Sequence, residues 1–165
     1  MGEDVHGTAD GHAPTLIKRC LAIPGDSVLL RGGTLTVNGV PARRGGIEAG
    51  DFLGEDVPVR VPEKGDVVIL DGHSSERWRA LIEREGHAVS SSPDGTVMID
   101  GHAAGSYAVE HAYLFVMGDR TDISLDSRHW GLLSTDRVVG EPVLVYWSRD
   151  DGGSPRLDRF GTLVR

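Results

Sequence analysis

The sequence predicts a mainly β fold: an antiparallel β-sheet core with an inserted, smaller β/α excursion that carries one short helix. Three observations carry this expectation. Short runs rich in Val, Ile, Leu and Thr alternate with Gly, Pro and Asp along most of the chain, as strands joined by tight turns do. Two segments share one shape, Gly33-Thr34-Leu35-Thr36-Val37-Asn38-Gly39 and Gly95-Thr96-Val97-Met98-Ile99-Asp100-Gly101. Each ends in a dipeptide that favours the positive φ angles of a type I′ turn, so each reads as a hairpin. Only one stretch, Ser75 to Glu85, has a helical period, with Trp78, Leu81 and Ile82 on one face, a serine before it and Gly86 after it.

Taken in order, residues 1–14 read as a flexible N-terminal segment, and strands are expected over Thr15 to Ile23 and Ser27 to Leu30. The first hairpin follows. Further strands are expected over Val57 to Val61, Asp66 to Leu70, Ala112 to Met117 and Val138 to Trp147. Residues 42–104, helix included, are set apart as a smaller subregion inserted into a core spanning 15–165. Trp130 and Trp147 read as core or rim packing, and Arg149-Asp150-Asp151-Gly152-Gly153 as a solvated turn.

Composition narrows the function classes. At 165 residues and 39% hydrophobic content the chain can bury a substantial core. A net charge of -8 argues against nucleic acid as a partner, because binding a phosphate backbone calls for clustered Lys and Arg. No run approaches the roughly 18 to 20 apolar residues that cross a bilayer, and the start Met1-Gly2-Glu3-Asp4-Val5 lacks a basic end and a hydrophobic stretch. The single cysteine, Cys20, excludes an internal disulfide. Seven scattered histidines, with no His-Glu-x-x-His and no paired cysteines, give no support to a zinc site and read as surface residues. No metal and no cofactor is expected.

Two segments carry chemistry. The first, Leu16-Ile17-Lys18-Arg19-Cys20-Leu21-Ala22-Ile23-Pro24-Gly25-Asp26, sets a lysine in an apolar run closed by a Pro-Gly-Asp turn. The chain has fifteen arginines and only two lysines, Lys18 and Lys64, so Lys18 departs from its habit of writing positive charge as Arg. Arginine cannot give up its proton at a useful pH, whereas a desolvated lysine can act as a base. The plain alternative is a strand-edge lysine whose ammonium reaches water. The second segment, Met117 to Gly131, packs Gly118-Asp119, Ser124, Asp126-Ser127-Arg128 and Trp130-Gly131 into one loop after an apolar run. Its plain alternative is a polar turn with a structural ion pair. Asp119, Asp122 and Asp126 lack the alternating ligand spacing of an EF-hand.

In their order and spacing these two blocks resemble those of the bacterial type I signal peptidases, membrane-bound serine proteases with a Ser/Lys dyad. One block is Lys18-Arg19 through Pro24-Gly25-Asp26; the other is Gly118-Asp119 through Ser124, Asp126-Ser127-Arg128 and Trp130-Gly131. The likeness continues through Val139-Gly140 to Arg159-Phe160-Gly161. It implies that 15–165 is a catalytic core in which Lys18 is the general base and Ser124 holds its amine. Asp126 and Arg128 would pair to brace the loop, Asp119 and Arg19 would add support, and Leu16 and Ile17 would line the pocket for the small residue before the cut. Arg120, Thr121 and Ile123 replace residues common in the family but leave Ser-x-Asp-Ser-Arg intact.

A larger departure lies upstream. The family's nucleophile is a serine followed by methionine, after a membrane helix and ahead of the lysine, and this sequence has no such pair; its first serine is Ser27. The chain therefore reads as holding the base and its supporting loop without the nucleophile or the membrane helix, and as inactive alone. The implied partners are signal peptides of exported preproteins, and the implied place is the outer face of the bacterial cytoplasmic membrane. Two alternatives stand beside this reading: a non-catalytic relative that binds extended peptide segments by strand addition, and an unrelated soluble β module.

Overall fold

Antiparallel pairing organises the chain, as the turn spacing predicts. The computed structural model describes residues 15–43, 47–71, 74–150 and 152–164. The expected flexible segment 1–14 lies outside the described residues. Two compact units divide at residue 135, one spanning 1–135 and the other 136–165.

In the first unit, β1 (Arg19–Ala22) leads through the Ile23–Asp26 turn into β2 (Ser27–Arg31), β3 (Thr34–Val37) and β4 (Val40–Arg43). The strand expected from Thr15 begins only at Arg19, which leaves Lys18 immediately ahead of it. Asn38 and Gly39 have φ values of 51° and 78°, the two positive angles the type I′ turn requires. β5 (Val59–Arg60) is shorter than the expected run, within which Pro58 has no N–H to offer a ladder. It pairs with β2, giving the sheet order β4-β3-β2-β5.

Next come β6 (Val67–Ile69) and α1 (Ser74–Arg84). Asp71 and Ser74 exchange side-chain to backbone bonds of 2.7 and 2.9 Å at the helix start, a reciprocal cap. At its end the Gly86 N–H bonds the Glu83 carbonyl and the His87 N–H bonds the Ile82 carbonyl, which closes a Schellman motif. Leu81 and Ile82 are buried and Trp78 packs partly buried against the core, the face the periodicity picked out.

The second hairpin belongs to a three-stranded sheet of β7 (Val89–Ser91), β8 (Val97–Ile99) and β9 (His102–Ala103), again turning on two positive φ angles, 50° at Asp100 and 79° at Gly101. β10 (Ser106–Ala108) returns to pair with β6. Of the region 42–104, residues 55–60 run against β2, where Leu30 bridges Glu55, the Asp56 N–H bonds the Leu30 carbonyl and Val59 pairs with Val28.

β11 (Tyr113–Met117) is the central strand of the sheet next to which Lys18 and Ser124 lie, and four of its five residues are buried. Beyond it lie the single-turn helix α2 (Ser127–Trp130) and β12 (Leu133–Ser134), and the sheet order is β1-β11-β12. Val28, Leu30, Leu35, Leu53, Ile82, Phe115 and Met117 are fully excluded from solvent. Each such side chain contributes roughly 1.5 to 3 kcal/mol over an exposed one, and together they fix the platform from which the loop after β11 projects.

In the second unit, β13 (Leu144–Val145) pairs with β14 (Thr162–Leu163). Gly140-Glu141-Pro142 interrupts the run expected from Val138, so only its last part forms a strand. The Trp147 and Phe160 rings pack 5.1 Å apart, and the Arg149 guanidinium lies 5.5 Å above the indole.

Candidate active site

The antiparallel register of β1 and β11 pairs Arg19 with Met117 and Cys20 with Val116, then shifts at a bulge before Ala22. Carried one residue back, it sets Lys18 beside Gly118, where β11 ends and the loop begins. Lys18 is half-buried, and its Nζ donates to Ser124 Oγ at 2.7 Å across 106 residues of sequence. Gly118 is what permits this approach: a Cβ there would lie 2.6 Å from the Ser124 Cβ and 3.6 Å from the Lys18 Nζ.

Beneath the loop, Asp126 and Arg128 are buried together, with side-chain exposures of 0% and 1%. Arg128 donates from Nε to Asp126 Oδ1 at 2.8 Å and from Nη2 to Oδ2 at 3.1 Å, a two-pronged contact. The same Nη2 reaches the carbonyls of Thr121 (2.9 Å) and Ser124 (3.2 Å), while Nη1 reaches that of Glu48 (3.4 Å). Asp126 also caps α2 by accepting from the Arg128 N–H and accepts from the Gly118 N–H at 3.2 Å. Burial pushes the Asp126 carboxyl up, but the bonds from the Arg128 side chain, the Gly118 N–H and the Arg128 N–H outweigh it and hold the group below its ordinary value. One buried pair thus grips both sides of the Lys18–Ser124 contact, Gly118 through Asp126 and the Ser124 carbonyl through Arg128.

Above the loop, Asp119 accepts from Arg19 Nε (2.9 Å) and Nη2 (3.1 Å) and from Arg43 Nη2 (2.6 Å). Hydrogen bonds first from Arg19 and then from Arg43 lower the Asp119 carboxyl from 3.8 to about 2, so it stays ionised at any ordinary pH.

Of the residues singled out in the sequence, Lys18, Ser124, Asp119, Asp126, Arg128 and Arg19 come together in one hydrogen-bonded cluster. Leu16 and Ile17 stay out of it, 60% and 79% exposed ahead of β1. The amine is therefore sheltered by the loop rather than by its apolar neighbours in sequence. Sequence reasoning missed Arg43, and nothing in Pro41-Ala42-Arg43-Arg44 signals it. It also gave no role to Ser127, whose buried Oγ accepts from the Val116 N–H at 3.0 Å beside the bulge. Gly50 was missed too: it lies against the Arg128 carbonyl, which accepts from the N–H groups of Phe52 and Leu53. Among the described residues no group of three His, Cys, Asp or Glu is arranged to hold a metal ion.

A sequence model of the family described as signal peptidase, peptidase S26, matches residues 5–147, most of the chain and both blocks of the site. The chain belongs to this signal peptidase family. The match includes Val139-Gly140, while Arg159-Phe160-Gly161 lies beyond it. The chain is similar to signal peptidase I of Helicobacter pylori, 23% identical over 156 residues that make up 86% of this chain and 52% of that one. Shorter likenesses reach higher identity. Signal peptidase I of Aquifex aeolicus is 40% identical over 42 residues, 26% of this chain and 16% of that one. Thylakoidal processing peptidase 1, chloroplastic, of Arabidopsis thaliana is 44% identical over 39 residues, 24% and 12% of the two chains. The chain thus spans about half the length of the Helicobacter relative. Among the described residues no helix is long and apolar enough to cross a membrane.

Proposed function

We propose that this chain is the base-bearing part of a signal peptidase I, a serine endopeptidase that removes signal peptides from exported preproteins. Lys18 is its general base and Ser124 the hydroxyl that orients the base. The observation that carries the reading is the 2.7 Å bond from Lys18 Nζ to Ser124 Oγ. By giving one N–H to Ser124, a neutral amine has its rotation fixed and its lone pair aimed away from the loop, toward an incoming hydroxyl. The amine takes the hydroxyl proton as the serine oxygen attacks the scissile carbonyl, then passes that proton to the departing amine. Water next cleaves the acyl intermediate with the same base.

The nucleophile in this reading is a serine supplied from outside these 165 residues, and the membrane is reached by a helix likewise outside them. Catalysis takes place on the outer face of the bacterial cytoplasmic membrane. Leu16 and Ile17, exposed ahead of β1, are free to contact the small residue before the cut.

The test is Lys18→Arg in the full-length protein encoded by the open reading frame, assayed on a preprotein with a known cleavage site. Loss of the base should lower kcat by at least about 100-fold with the unfolding midpoint unchanged. Retained cleavage would remove Lys18 from the mechanism, and binding of preprotein without any cleavage by the wild-type protein would favour the non-catalytic relative.

A further inference from the structure

We propose that Arg43 is a positioning residue for the Lys18 amine, acting through Asp119, a role that rests on reading Lys18 as the base. Arg43 ends β4, in the sheet β4-β3-β2-β5, whereas Asp119 follows β11 in the sheet β1-β11-β12. The bond of 2.6 Å between them therefore ties two separate sheets together at the corner of the catalytic loop.

Arg19 and Arg43 reach Asp119 from different sheets. Arg19 sits on β1, opposite Met117, so its contact with Asp119 runs between neighbouring strands of one sheet. Arg43 approaches the same Oδ1 from another sheet and fixes the corner in a second direction. It is also the more sheltered partner, with 26% of its side chain exposed against 43% for Arg19. Because Asp119 directly follows Gly118, a shift of the corner moves the backbone that makes room for Ser124 beside Lys18. Small displacements of this kind are costly in catalysis, since an error of about 1 Å in a reacting group can lower a rate roughly 100-fold.

The chain offers a readout that needs no activity. Lys18 and Lys64 are its only lysines, so 13Cε-lysine labelling gives two signals, and Lys64 serves as an internal reference. A held Lys18 side chain gives inequivalent Hε protons, and a freely rotating one gives averaged protons. Arg43→Met should average the Lys18 Hε signals and leave Lys64 unchanged. Arg43→Lys, which keeps a cation within reach of Asp119, should retain most of the inequivalence. Asp119→Asn, at the other end of the same bond, should average the signals as Arg43→Met does, and it tests the link even if Arg43→Met folds poorly.

In the full-length enzyme, Arg43→Met should lower kcat by about 10- to 100-fold with KM nearly unchanged, and Arg43→Lys should restore most of it. Unaltered Lys18 signals and kcat in a folded Arg43→Met protein would overturn the role of Arg43 while leaving Lys18 as the base. Full cleavage by Lys18→Arg would instead remove the reading beneath it.

Discussion

Two aspartates held by arginine flank the loop that carries Ser124, Asp126 by Arg128 and Asp119 by Arg19 and Arg43, and they occupy opposite environments. Asp126 and Arg128 are shut away from water, whereas Asp119 is 64% and Arg19 43% exposed. The chemistry of the two contacts is alike, and burial sets their worth. A buried pair must satisfy its donors and acceptors inside the protein, and Arg128 does so by spreading its bonds over Asp126, Thr121, Ser124 and Glu48. It is a frame on which the loop is built. An exposed pair is screened and contributes little to stability, so the value of the Asp119 contact lies in where it holds the loop corner.

The largest expected effect comes from breaking the lower pair. Arg128→Met leaves the Asp126 carboxylate buried without its partner and should cost about 3 to 5 kcal/mol in urea unfolding; a loss well under 1 kcal/mol would mean the frame is not energetic. Gly118→Ala probes the point between the two pairs, where an added Cβ meets Ser124. Crowding should cost about 1 to 3 kcal/mol, and acylation of Lys18, followed by mass spectrometry, should change rate while that of Lys64 does not. Equal Lys18 rates in the two proteins would show that the loop adjusts without moving the amine.

The upper contact should respond weakly and with a defined pH sign. Asp119 has a depressed carboxyl, so its contribution is complete above the ordinary value of 3.8 and is lost as pH falls toward about 2. At neutral pH, Asp119→Asn should cost no more than about 1 kcal/mol, and acid should erase that difference. A difference that persists at pH 2 would contradict the assignment of charge. The smallest effect is expected at His87, whose ring meets Asp100 at 2.6 Å and Glu110 at 3.2 Å. These bonds, Asp100 first, raise its titration above 6.5. Its contribution is therefore complete below pH 6.5 and lost as pH rises through the higher folded value, so wild type and His87→Gln should converge in stability under alkaline conditions.

His87 also illustrates what sequence alone conceals. It reads as one of seven scattered surface histidines, but its two carboxylate partners come from a hairpin turn and from the segment before β11, 13 and 23 residues away. The hairpins themselves are plain in the sequence because Asn38-Gly39 and Asp100-Gly101 encode backbone angles locally. Strand lengths are less so. The expected start at Thr15 fails because extending β1 to residues 15–18 would need a ladder partner beyond Met117, where the chain turns at Gly118 into the loop.

What the sequence by itself determined is therefore local: strand character, turn type, the helix face of Trp78, Leu81 and Ile82, and the polar and charged residue types gathered in the Lys18 segment and in the loop from Gly118 to Gly131. Tertiary structure decided which of those groups meet. Lys18 and Ser124 are 106 residues apart, and Arg43 reaches Asp119 across 76. Nothing in the composition of either segment encodes such distances. They follow from the register of β1 on β11 and from the buried pair under the loop, and both depend on packing between parts of the chain that are remote in sequence.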